Sequence, residues 1–135
     1  MKNMMYVRGL LGLMGLYDGV LGVAFLVAAP QLFDWVQVTP PNHFGYVHFS
    51  AALLIVFALM FFAVAMKPRA NRNLLPYCFL LKVSYCGVVF YHWLLGDGLP
   101  GLWKPFAIAD LVMAALLAWM YVSVRTPAGN ARREA

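Results

Sequence analysis

The stretch LLPYCFLLKVSYCGVVFYHWLL, residues 74–95, decides the fold, because it is almost entirely apolar and carries one formal charge, Lys82. A helix rises about 1.5 Å per residue, so about 20 apolar residues cross the hydrocarbon core of a bilayer. The stretch is therefore long enough to be a transmembrane helix. A lysine near the middle of such a helix is costly in free energy and requires polar partners on neighbouring helices.

Three other runs have a similar length and composition. Of the 135 residues, 64% are hydrophobic and only 11% are charged, whereas ordinary soluble domains have about 25% charged residues. The sequence therefore predicts an all-α integral membrane protein: a single four-helix transmembrane domain over residues 1–135, in contact with the lipid bilayer. The predicted spans are residues 8–29, 44–66, 74–95 and 104–124.

Residues at the helix boundaries agree with these limits. Asn42 is suited to cap the second span, and Pro76 and Pro105 fall in first turns, where a missing N–H costs little. The segment GDGLPG, residues 96–101, has the glycines and the proline of a turn. The loop 31–44 mixes bulky apolar and polar side chains, which indicates a segment that lies on the membrane surface or docks onto a partner.

The basic residues are distributed unevenly about these spans. Eight of the ten fall at one end of the predicted bundle: Lys2, Arg8, Lys67, Arg69, Arg72, Arg125, Arg132 and Arg133. The opposite loops hold Lys104, Asp34 and Asp97. By the positive-inside rule both termini are expected in the cytoplasm. The net charge of +5 then reflects topology and attraction to anionic lipids, and we expect no nucleic-acid partner.

The two cysteines do not form a redox pair. Cys78 and Cys86 are eight residues apart on one predicted helix, a rise of about 12 Å, which exceeds the separation that a disulfide allows. We interpret both as small core residues. With Lys82, Tyr85 and Val89 they share one helical face.

A buried charge triad is the most specific prediction. Asp18 lies ten residues past Arg8, and Lys82 lies ten residues past Arg72, so the two groups share a depth near the bilayer centre. Asp110 lies at a comparable depth on the fourth span, within reach of the long lysine side chain. Because an isolated charge at this depth is expensive, Asp18, Lys82 and Asp110 are expected to meet inside the bundle.

Two interpretations of the triad remain open. It could be a structural ion pair that determines which helices are neighbours. Alternatively, two carboxylates and one ammonium leave one excess negative charge, so one carboxyl group would hold a proton or meet another donor, as in proton relays and substrate sites.

Small residues mark a packing face on the first span. Gly12, Gly15, Gly19 and Gly22 recur at steps of three and four residues, so they form a smooth stripe on one side of the helix. Asp18 belongs to the same side. The stripe predicts close approach of a second helix.

A second polar cluster is expected near the outer surface. His48 lies about one turn inside the second span and His92 about one turn before the third span ends, next to Tyr91. Two histidines on facing helices could ligate haem, and the cluster could also hold quinone. Alternatively, these rings are part of an interfacial aromatic belt. The sequence predicts no catalytic residue and no metal site.

The layout resembles the DoxX-like group of small bacterial inner-membrane proteins. The resemblance rests on GLYDGVLGVAFLVAAP in the first span, the basic loop KPRANRN, Lys82, and FAIADLVMAALL in the fourth span. It implies a multi-pass protein of the bacterial inner membrane. Some members are associated with quinone-linked oxidoreductases, so the resemblance implies a redox role as one alternative.

Three functions follow as hypotheses. The first is a non-catalytic subunit or accessory protein that packs against other membrane subunits or against itself. The second is a redox component that binds quinone or haem near His48, His92 and Asp110. The third is a proton-coupled transport unit that uses the triad.

Overall fold

The computed structural model describes residues 2–96 and 98–124, with side chains from Met4 onward. Some residues used in the predictions from the sequence lie outside this part of the chain: the side chain of Lys2, Asp97, and the tail with Arg125, Arg132 and Arg133. The two terminal residues, Met1 and Ala135, also lie outside it.

Every regular element in the described residues is helical. Four helices are long and apolar enough to cross a membrane, which confirms the all-α prediction with four candidate spans. The elements are α1 (Lys2–Val27), α2 (Ala29–Trp35), α3 (Gly45–Met66), a 3-10 turn (Arg72–Leu74), α4 (Leu75–Leu95) and α5 (Trp103–Ser123).

The first span differs from its predicted limits of 8–29. The helix α1 begins earlier, at Lys2, and ends at Val27, after which the chain bends at Ala28 and enters the short helix α2. Pro30 explains the break, because it lacks an N–H for a continuous helix but fits the first turn of a new one. The other three long helices agree with the prediction to within one residue at each end.

The caps confirm the predicted turn and correct one residue. Gly96 ends α4 in the left-handed region, with φ of 68°, which glycine adopts without strain. At the start of α3, however, the predicted cap Asn42 makes no capping hydrogen bond. His43 acts instead, since its Nδ1 accepts a hydrogen bond from the Gly45 N–H at 2.9 Å.

The long helices form two antiparallel pairs, α1 with α3 and α4 with α5, and these are the most extensive contacts between elements. In the first pair, Gly22 near the end of α1 meets Ala51 near the start of α3. In the second, the Cys86 thiol of α4 donates to the Ala107 carbonyl of α5 at 3.2 Å. Up-and-down packing therefore brings the start of α1, the end of α3, the start of α4 and the end of α5 together. We call this the basic end.

Two arginines at the basic end bind the carbonyl ends of helices. Arg8 donates through Nε and Nη2 to the carbonyl oxygens of Ala65 and Met66, at the end of α3. Arg72 donates to the Tyr121 carbonyl at 2.8 and 3.1 Å and lies over the Tyr121 ring. A cation at a helix C-terminus satisfies unpaired carbonyls and interacts favourably with the helix dipole. Part of the charge asymmetry therefore has a structural role.

Most of the glycine stripe lies against α3. A Cβ atom at Gly22 would be 2.8 Å from the Ala51 carbonyl oxygen, and at Gly15 and Gly19 the nearest atoms would be at 3.1 and 3.4 Å. Gly12 is the exception to the prediction, because a Cβ there would meet nothing within 4 Å. The close contact therefore begins one turn later on α1 than the sequence indicates.

The apolar core occupies the half of the bundle nearest the basic end. All four long helices contribute large side chains to it, and they exclude solvent from this half. The cluster consists of Val7, Leu11, Met14, Phe61, Val64, Leu75, Cys78, Leu117, Met120 and Val124.

We expect Gly22→Ala to lower the free energy of unfolding by about 1 to 3 kcal/mol, because the added methyl group has no space against the Ala51 carbonyl. Gly12→Ala is the matched control on the same helix. Its methyl group enters open space, and alanine favours a helix by up to about 1 kcal/mol over glycine, so stability should be equal or higher. Thermal unfolding of both variants in one detergent, followed by circular dichroism, measures the difference. Equal destabilisation would contradict the α1–α3 contact.

Candidate functional site

The helix α4 directs Lys82 into the bundle. Cys78 and Cys86, one turn before and one turn after it, are buried, and so is Val89. Residues three and four positions apart lie on one side of a helix, so this spacing produces a continuous buried face. The small cysteine side chains leave room for the lysine side chain between them.

The structure brings all three members of the predicted triad together. Lys82 Nζ donates a hydrogen bond to Asp18 Oδ1 of α1 at 2.6 Å. It also lies 3.2 Å from Asp110 Oδ1 of α5, an ion-pair distance at an angle outside hydrogen-bond geometry. The side chains of Asp18 and Lys82 are each 1% exposed and that of Asp110 is 9% exposed. Asp18 is therefore the stronger partner and Asp110 the more accessible one.

Two aromatic rings complete the surroundings of the ammonium group. Lys82 Nζ lies 5.0 Å from the centroid of the Tyr17 ring of α1 and 5.7 Å from that of the Phe61 ring of α3. Both distances allow a cation–π interaction, which strengthens when the cation is removed from water. The four long helices therefore all contribute to the contacts of one side chain.

The two sides of the triad differ. Towards the basic end lies the apolar core, to which Phe61 belongs. On the other side, polar groups of α4 bind backbone carbonyls of α5: the Tyr85 hydroxyl donates to Trp103 at 3.4 Å, and the Cys86 thiol donates to Ala107. The triad thus lies at the boundary between a closed apolar core and a half of the bundle in which small residues are buried, among them Gly22, Ala51 and Ala107.

The charges of the triad do not cancel. Two carboxylates face one ammonium, which leaves one formal negative charge. Asp18 Oδ2 and Asp110 Oδ1 accept no hydrogen bond from any group in the described residues. Chemically, the arrangement can hold an ion pair and can accept one further proton or donor.

The histidines lie in aromatic contacts of their own. His48 is half-buried and stacks on Phe44, which in turn contacts Phe33 of α2 edge to face. His92 is half-buried with its ring edge-on to Tyr91, which is exposed. Within residues 2–96 and 98–124, no cluster of three or more His, Cys, Asp or Glu side chains could hold a metal ion. The haem or quinone site stays a prediction.

Some contacts of the site were not foreseen from the sequence. Tyr17 carried no clear signal, because adjacent residues on a helix point in different directions. Phe61 carried none, since it stands in an apolar run among other phenylalanines. The carbonyl contacts of Arg8 and Arg72 were also missed, because the cations were attributed to topology alone.

Comparison with known proteins adds no family assignment, since no family model, no curated protein and no solved structure matches the chain. The resemblance to DoxX-like proteins therefore remains one of layout and scattered polar positions. It assigns no role to any residue.

Replacing Lys82 with methionine should lower the stability of the folded protein by about 3 to 5 kcal/mol, because it leaves two buried carboxylates without their cation. Adding Asp18→Asn and Asp110→Asn should restore much of this loss, since no charge is then stranded. The free energy of unfolding is measured in detergent, with helix content as the signal that reports unfolding.

Lys104→Met is the matched control for that experiment. Lys104 lies at the opposite end from the basic loop, over the Trp93 ring at 4.7 Å, and its loss should have little effect. If Lys82→Met were as mild as Lys104→Met, the triad would not hold the helices together.

Proposed function

We propose that this protein is a small non-catalytic membrane subunit or accessory protein that packs against a larger complex in the bacterial inner membrane. In this proposal the triad is the internal connection of the bundle, and the outer surface is the part that meets lipid and partner subunits. Both termini lie in the cytoplasm.

One observation carries the proposal: the Lys82 ammonium is buried, with 1% of its side chain exposed, and groups of the bundle surround it. It contacts Asp18 and Asp110 as ion pairs and the rings of Tyr17 and Phe61 by cation–π geometry. A lysine that served a substrate would need an unoccupied direction from its ammonium group. Here one N–H donates to Asp18, and Asp110 and two rings from the other long helices surround the rest of the group, which favours a structural role.

The outer surface supports a role in contact with lipid and protein. Large apolar side chains are exposed on every long helix, as expected for helices that face a bilayer or another membrane subunit. Examples are Val20, Val56, Leu59, Val83, Val88, Leu111 and Val122. Trp35, the last residue of α2, is 81% exposed, so the end of this short helix presents a large ring that a partner or the membrane interface can contact.

The orientation proposed rests on the basic end. Arg8, Lys67, Arg69 and Arg72 lie there, and positive loops are retained in the cytoplasm.

Reporter fusions to the two ends of the chain should both report the cytoplasmic side. A reporter active on the outer side would reverse the proposed orientation.

The accessory function predicts a stoichiometric membrane complex. The protein should be extracted in mild detergent from its native membranes. We expect it to migrate with fixed amounts of other membrane subunits, and chemical cross-links should join these subunits to its spans. The variant with Lys82→Met, Asp18→Asn and Asp110→Asn should enter the same complex, because a structural triad is replaceable by neutral groups. A protein that is always isolated alone would contradict the proposal.

A second candidate, a proton-coupled transport unit, is favoured by one observation. Asp110 is the least buried member of the triad, and two carboxylate oxygens of the triad accept no hydrogen bond from the described groups. In reconstituted vesicles this function predicts proton movement that the triple variant loses while its helix content is unchanged. The accessory function predicts no difference between the two proteins in that assay.

A further inference from the structure

A cleft at the basic end concentrates positive charge beside apolar side chains. It has a volume of about 320 Å³ and lies between the start of α1, the end of α3 and the loop that follows. Three of its lining residues are cations, Arg8, Lys67 and Arg69, and all three are exposed. Its remaining lining residues are Met4, Met66, Pro68 and Ala70.

No carboxylate of the described residues neutralises these cations. Asp18 and Asp110 are bound to Lys82 in the interior, and Asp34 lies on α2, at the end of α1 far from the cleft. Three neighbouring positive groups without an acidic side chain repel one another and attract an anion. The counter-ion of the cleft must then come from outside this part of the chain.

The position of Arg8 in the cleft is fixed by its own hydrogen bonds. Its Nε and Nη2 donate to the carbonyl oxygens of Ala65 and Met66, which hold the guanidinium at the end of α3. Arginine has five N–H donors, so others remain for an anion. The guanidinium is therefore held in place before a ligand arrives, which reduces the entropy lost on binding.

The depth of the cleft indicates the kind of anion. Met4 lies in the first turn of α1 and Met66 is the last residue of α3, where its candidate span ends, and both residues line the cleft. The cleft therefore lies where two spans leave the hydrocarbon core, at the level of lipid headgroups. Below it, exposed apolar side chains such as Met5 and Phe62 continue along the same two helices.

We propose that this cleft binds the phosphodiester headgroup of an anionic phospholipid. Arg8, Lys67 and Arg69 contact the phosphate, Met4 and Met66 contact the glycerol region, and the acyl chains follow the apolar surface of α1 and α3. Basic pockets at the end of membrane helices recognise anionic headgroups by this combination of charge and apolar contact. Free phosphate offers the same charge but no apolar part, so it is expected to bind far more weakly. The site does not depend on whether the protein is an accessory subunit or a transporter.

The test is native mass spectrometry of the purified protein, titrated in detergent with phosphatidylglycerol and, in a parallel series, with phosphatidylcholine. We expect tighter binding of phosphatidylglycerol. Lys67→Gln should weaken that binding about fivefold, and Lys67→Gln with Arg69→Gln about 30-fold, since each cation near a membrane surface contributes about this factor.

Lys104→Gln is the matched control, because it removes the same charge at the opposite end of the bundle. It should leave phosphatidylglycerol binding unchanged. Equal loss in Lys67→Gln and Lys104→Gln would overturn the site in favour of a general effect of net charge. Complete displacement of phosphatidylglycerol by millimolar inorganic phosphate would also overturn it, because the ligand would then be a free anion. Lys67 and Lys104 each lie at the end of a helix. Unchanged helix content in the variants confirms that folding is intact.

Discussion

The rest of the structure depends on the ion pair between Lys82 and Asp18. An ammonium group in the hydrocarbon interior is stable only when other helices supply its counter-charges, so α4 must present this residue to α1 and α5. The two antiparallel pairs, α1 with α3 and α4 with α5, are extensive, whereas the contacts between the pairs are fewer. The charge triad joins them at one depth, and the apolar core packs beneath it.

Such an arrangement is better explained by specificity than by added stability. The cost of removing two carboxylates and an ammonium from water offsets much of their attraction, and a well-packed apolar substitute can be equally stable. An apolar substitute would not select its neighbours, whereas the Lys82 ammonium is stable only beside helices that supply a carboxylate or an aromatic ring. A small bundle whose helices otherwise pack through glycine and apolar side chains gains a single register from it. A fixed register is what the accessory function proposed above requires, since such a subunit presents one surface to a partner.

The sequence predicted the four long helices because apolar runs of this length have few alternatives. It predicted the triad because helical rise alone places Asp18, Lys82 and Asp110 at one depth. It did not predict the bend at Ala28. There Pro30 ends α1 but also starts the short helix α2, so the chain continues as a helix after the bend. Nor could spacing separate Gly12 from Gly22, since only the path of α3 decides which glycine is in contact.

The most direct measurement of the central claim is a solid-state NMR experiment on the protein in lipid bilayers. Dipolar coupling between the Lys82 side-chain nitrogen and the carboxyl carbons of labelled aspartate reports their separation. The structure predicts strong coupling to Asp18, weaker coupling to Asp110, and slow exchange of the ammonium protons with water, in line with nitrogen–oxygen distances of 2.6 and 3.2 Å. A Lys82 ammonium that couples to neither aspartate and exchanges rapidly with water would contradict the account.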